Sequence, residues 1–113
     1  SIRDALARQI PLSHLMLLQG MSLTYACGSY LFVHAGVRPK VAIERQVVRD
    51  LLWIRKGFAD RDRPFEKVVV HGHTPVDQPY LGRYRINLDT GAYLTNRLSC
   101  LVLEGTNVRS LDF

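Results

Sequence analysis

The chain reads as one α/β unit built around a buried sheet, and three observations carry that reading. Val68-Val69-Val70 is apolar on consecutive positions, as in a strand with both faces covered. Other short strand-like runs are interleaved with segments of helical periodicity. Three of the strand-like runs end on polar groups beside a Gly, the pattern of loops that leave a rigid sheet.

With 113 residues the chain makes one domain or part of one. Apolar residues are 47% and charged ones 22%, a globular usage that excludes disorder. The longest apolar run is far shorter than the ~20 residues of a membrane-spanning helix, so no membrane partner is expected. Ser1-Ile2-Arg3-Asp4 carries both charge signs and no apolar h-region follows, so no signal peptide is expected. The start lacks Met and reads as the middle of a helix, which suggests a piece of something longer. Cys27 and Cys100 make neither a zinc cluster nor a disulfide framework. Both lie in apolar runs, where buried thiols are expected, and a reducing, cytoplasmic setting fits them.

Residues 2–9 place Ile2 and Leu6 on one helical face, with Ile10 following on it, and Pro11 stops the run. Leu12 to Gln19 predicts a second short helix ending at Gly20. Met21 to Cys27 and Tyr30 to Ala35 predict strands joined at Gly28-Ser29. A third helix is expected from Ala42 to Ile54, burying Val47, Leu51 and Ile54. A polar loop spans 56–66, followed by strands at Lys67–His71, Arg85–Leu88, Leu98–Glu104 and Val108–Leu111, with a last turn at Gly105-Thr106-Asn107.

Chemistry concentrates in Phe32-Val33-His34-Ala35-Gly36, Val70-His71-Gly72-His73-Thr74-Pro75 and Ile86-Asn87-Leu88-Asp89-Thr90-Gly91. Ligand sites collect where such segments leave a sheet. His34 and His73 on neighbouring strand ends could both face one metal ion, each with a Gly nearby to leave room. The plain alternative is a pair of histidines hydrogen-bonded to carbonyls, and no third or fourth ligand is evident from spacing. The chain carries 15 Lys and Arg against 10 Asp and Glu, a net +5, with nine of the basic residues between 38 and 67. Acidic residues are interleaved there, which reads as a solvated face, with an anionic partner such as phosphate, phosphoprotein or nucleic acid as the alternative. Arg55 differs from the rest. It follows Leu51-Leu52-Trp53-Ile54, so an anchored guanidinium could present its planar fork to a phosphate, with Trp53 turned the other way into packing.

YLFVHAGVRP (30–39), DLLWIR (50–55), VVHGHTPV (69–76) and RINLDTGAY (85–93), in this order and spacing, resemble the second half of a bacterial serine/threonine phosphoprotein phosphatase of the calcineurin-like metallophosphoesterase superfamily. The resemblance implies an α/β fold that is part of a four-layer α/β/β/α sandwich, with residues 1–113 as the C-terminal half of one domain. It implies a centre of two divalent ions, manganese or iron, in which His34 and His73 hold the second ion and Arg55 grips the substrate phosphate. His71 takes at most a supporting role, and Asp89 and Tyr93 border the site. TNRL (95–98) departs slightly from the family's usual Gly-Arg pairing, at no ligand position.

The family's GDxHG, GDxVDRG and GNHE motifs do not occur in this chain, and with them go the first ion's ligands and the general acid. No catalytic residue is therefore expected in this half, and the missing N-terminal half is the expected partner. The implied activity is metal-dependent hydrolysis of phosphoesters, on a phosphorylated protein or a small phosphoester substrate. A symmetrical dinucleoside-tetraphosphate hydrolase of the same fold is the alternative, since its signatures are similar. A non-catalytic module that binds phosphate or nucleic acid is the alternative of another class. Nucleic acid is not the expected partner, because no aromatic-rich surface run accompanies the charge.

Overall fold

A computed structural model describes residues 1–111. Its centre is a five-stranded sheet of β1 (Thr24–Cys27), β2 (Tyr30–Val33), β3 (Val68–His71), β4 (Tyr80–Leu81) and β5 (Arg85–Asn87), in the order β1-β2-β3-β5-β4. The three inner strands run parallel, with Leu31 opposite Val69 and Val70 opposite Ile86, while both edge strands pair antiparallel. β6 (Cys100–Glu104) and β7 (Asn107–Leu111) form a separate hairpin, held to the sheet by the Tyr30 hydroxyl donating to the Gly105 carbonyl at 2.7 Å. Helices α1 (Ile2–Gln9), α2 (Leu12–Gly20), α3 (Val48–Trp53) and α4 (Ala92–Thr95) complete the chain.

Ser1 caps α1 by accepting the Asp4 amide at 3.3 Å. Neither β4 nor α4 is among the elements the sequence predicts. The single helix expected over 42–54 is a 3-10 turn at Ile43–Arg45 followed by α3. The cause lies at Gln46, whose side chain accepts from the Arg38 amide at 2.8 Å and donates to the Arg38 and Val41 carbonyls at 2.9 and 2.8 Å. These bonds hold the loop before α3 in place of a helical turn, and Val47 is exposed rather than buried. Arg38 in turn forks onto the Asp50 carboxylate at 2.7 and 2.8 Å, which holds the Asp50 carboxyl below the usual carboxylate range.

The core lies on one face of the sheet. Leu31, Val33 and Val69 point into it and meet Val37, Leu51 and Phe58. Leu31 and Val69 are 1% and 0% exposed, and burial of such a side chain stabilises by about 2 kcal/mol. Phe32 and Val70 face the other way, into an open cavity of about 870 Å³ also lined by Leu18, Met21 and Tyr25. α1 and α2 bury none of their residues, and Leu12, Met16, Leu17 and Leu18 of α2 are exposed. Cys27, expected buried, is exposed, and Cys100 is only half-buried.

Beneath the strand ends lies a buried polar knot. His71, 3% exposed, packs edge-on against Phe58 with ring centres 4.9 Å apart. A Cβ on Gly36 would overlap that Phe58 ring, so only Gly lets β2 turn here. The His71 Nδ1–H donates to the Gly72 carbonyl at 3.1 Å, and Nε2 accepts from Arg85 at 3.4 Å. Arg85 is 7% exposed and has no carboxylate partner among the described residues; it donates to the Ala59 and Arg61 carbonyls and stacks 4.1 Å over Tyr80.

Gly36→Ala should lower the stability of the chain by about 1–3 kcal/mol, because Phe58 cannot yield without opening the core. Gly20→Ala, at a helix end with open space around it, should change stability by less than about 1 kcal/mol. Equal shifts of the thermal midpoint would contradict the Phe58 packing described.

Burial lowers the His71 pKa to about 4. The unfolded chain takes up this proton near pH 6.5 and the folded one does not, so stability should be full above about pH 6.5 and fall as pH drops toward 4. The loss should approach about 3 kcal/mol. Urea unfolding of wild type and His71→Gln between these pH values checks it, with a shallower slope expected for the variant.

Candidate metal centre

Because β2, β3 and β5 run parallel, their C-terminal ends sit side by side at one edge of the sheet. His34 follows β2, His73 lies just past β3, and Asp89 lies just past β5. Backbone bonds tie the three loops together. Gly72 N donates to the His34 carbonyl at 2.9 Å, Leu88 N to the His71 carbonyl at 3.0 Å, and Val76 N to the Asp89 carbonyl at 2.8 Å. Asn87, 1% exposed, reaches from β5 to hold the Thr74 carbonyl at 2.8 Å. These constraints force His73 into the left-handed region at φ 64°, a conformation that costs about 1–3 kcal/mol in a non-Gly residue.

The result is a direct contact between two imidazoles, with His34 Nε2 3.2 Å from His73 Nδ1 and ring centres 4.9 Å apart. Arg55 joins them. α3 is anchored by Ala35 N donating to the Leu51 carbonyl at 2.9 Å, and the turn beyond it folds back so that Ala59 N reaches the Arg55 carbonyl at 2.8 Å. From this position Arg55 Nε donates to His73 Nε2 at 3.3 Å. Burial, together with the charge of Arg55, lowers the His73 pKa and favours the neutral ring.

The expected shared cavity takes a different form. His34, His71, Gly72 and Asp89 line the 870 Å³ cavity, whereas His73, which meets His34, and Arg55, which meets His73, stand outside its lining. Asp89 packs beside Gly72, where an added Cβ would stand 3.5 Å from its own Cβ. One Asp89 carboxylate oxygen accepts the Gly91 amide at 2.9 Å. Tyr93, expected to border the site, lies on α4 with 82% exposure and lines none of this cavity. Trp53, expected in the packing, is 68% exposed and meets the His73 ring edge-on at 5.7 Å, because the helix ends at this residue and leaves the indole over the site. His71 is buried behind the site, in contact with Arg85 rather than with His34 or His73.

Two nitrogens bound to one ion at about 2.1 Å each stand about 2.9–3.4 Å apart at right-angled to tetrahedral geometry. The His34–His73 spacing of 3.2 Å fits that requirement. Among the described residues no group of three His, Cys, Asp or Glu gathers to complete a metal site. The pair therefore suits two positions of a cation and leaves the others to be supplied from elsewhere. Arg85 escaped the sequence reading: a lone Arg inside a three-residue strand gives no sign of the Ala59 and Arg61 carbonyls that bury it.

No helix among the described residues is long and apolar enough to cross a membrane. No family model matches the chain, and no curated protein does. A solved structure does resemble it: the crystal structure of a "putative diadenosine tetraphosphatase" aligns with a TM-score of 0.69 at 21% sequence identity. The alignment covers 95% of this chain and 58% of that one, so the chain spans a little over half the length of its structural neighbour. The likeness is one of fold: this mixed α/β chain has the architecture of a fragment of that neighbour's α/β fold.

Proposed function

We propose that residues 1–113 are the C-terminal half of a calcineurin-like phosphoesterase domain whose whole hydrolyses phosphoesters with divalent metal. The observation that carries the proposal is the His34–His73–Arg55 cluster, in which two imidazole nitrogens spaced for one cation sit beside a guanidinium. The exposed apolar residues of α2, and the lack of a third metal-ligand candidate among the described residues, support the view that more of the domain packs against this chain. Among phosphoesters the favoured substrate is a dinucleoside tetraphosphate, because the structural neighbour carries a diadenosine tetraphosphatase description. A serine/threonine phosphoprotein is the second reading, on the FVHAG and HGHTP motifs.

In this reading His34 and His73 would be ligands of one of two ions, manganese or iron, with carboxylate ligands supplied from outside this chain. Bound there, the ions would supply Lewis acidity to a phosphoryl oxygen and to a water. Arg55 directs its planar fork at the other phosphoryl oxygens and neutralises charge that grows on them during in-line attack. His71 and Arg85 act from behind: Arg85 holds the Ala59 and Arg61 carbonyls of the turn that starts at Arg55, and His71 fills the space under Gly72. Asp89 remains a lining residue, and no general acid is assigned to this chain.

The chain alone should show no phosphoesterase turnover with manganese, and a protein extended upstream should hydrolyse diadenosine tetraphosphate at higher kcat/KM than a phosphopeptide. Arg55→Ala in the extended protein should lower kcat/KM about 100-fold with an unchanged thermal midpoint. A preference for the phosphopeptide would favour the second reading. Equal turnover by the short and extended forms would overturn the half-site proposal.

A further inference from the structure

We infer that Arg55 is a latch on His73: its hydrogen bond to His73 Nε2 fixes the ring as the Nδ1–H tautomer, which a cation between His34 and His73 cannot use, so that cation binding and the latch exclude each other. The inference rests on the reading above that these two histidines share one ion.

A neutral imidazole has one N–H and one lone pair, and a guanidinium can only donate. With Arg55 Nε 3.3 Å from His73 Nε2, the lone pair must lie at Nε2 and the proton at Nδ1. That proton points along the 3.2 Å contact to His34 Nε2, which accepts it. A cation placed there needs lone pairs on both His34 Nε2 and His73 Nδ1. The His73 proton then has to sit on Nε2, where it would meet the Arg55 N–H head to head. Arg55 has to let go.

The surroundings permit this. Arg55 is exposed, and its other contact is a long one, Nη2 to the His73 carbonyl at 3.4 Å. The neighbouring pair marks the contrast. Arg85 donates to His71 Nε2 in the same way, but it is buried and held by two carbonyls, and the His71 Nδ1–H is spent on the Gly72 carbonyl. That pair is fixed, whereas the Arg55–His73 pair is free to open. Opening frees the Arg55 fork for an anion, so occupation of the metal position and exposure of the anion-binding group are one event.

The test is a long-range proton–nitrogen NMR correlation on the 113-residue chain, labelled with nitrogen-15 at histidine, at about pH 8 where free histidine is neutral. In the metal-free wild type, His73 should show a protonated Nδ1 and an unprotonated Nε2. Adding zinc should move the proton to Nε2. In Arg55→Ala, whose truncation leaves the core untouched, the metal-free ring should already carry its proton on Nε2. Zinc, followed on the same signals, should bind the variant about tenfold more tightly. A wild-type His73 protonated at Nε2 without metal, or equal zinc affinity in the two forms, would overturn the latch. Absence of any zinc shift at His34 and His73 in both forms would instead remove the metal reading, while the metal-free tautomers still decide the latch.

Discussion

The candidate site depends on the parallel register of β2, β3 and β5. Parallel strands put like ends together, so three loops separated by tens of residues leave the sheet at one edge. Once Leu31 pairs with Val69 and Val70 with Ile86, His34 and the segment 71–73 have little freedom left. The remaining freedom is removed by backbone bonds between the loops and by Asn87 holding the Thr74 carbonyl. The left-handed backbone at His73 follows from these constraints, and the strain is borne by the core that Leu31, Val69 and Phe58 build below.

A second layer of order comes from arginines that bond to something other than carboxylates. Arg85 is buried among carbonyls, a ring face and a neutral histidine, and so ties the turn after Arg55 to β5. Arg55 contacts His73 from that turn. The two arginines therefore act in series, one setting the position of the loop and the other meeting the His73 ring. Among the described residues only Arg38, of the arginines, pairs with an acid, at Asp50, and there it braces the start of α3.

The parts of this arrangement that were legible in the sequence are those that local pattern dictates. Three consecutive valines announce a buried strand, and a Gly near each polar strand end announces a loop that turns sharply off the sheet. The broken helix at 43–53 was not legible, because the Gln46 side chain competes for backbone groups only after the loop at Arg38 folds against it. The same holds for Arg85, whose burial depends on carbonyls more than twenty residues away. Trp53 and Cys27 read as core residues from their apolar neighbours, yet both are exposed, since burial depends on what packs above them. β4 has two residues and α4 four, too short for any periodicity to register.

The central claim is that His34 and His73 are two ligands of one cation at the end of the parallel strands. Crystals of the chain soaked in manganese and measured for anomalous scattering test it most directly. A single anomalous peak between His34 Nε2 and His73 Nδ1, with Arg55 turned away from His73, is the result this account predicts. A peak elsewhere, or none with the two rings still in contact, would contradict it.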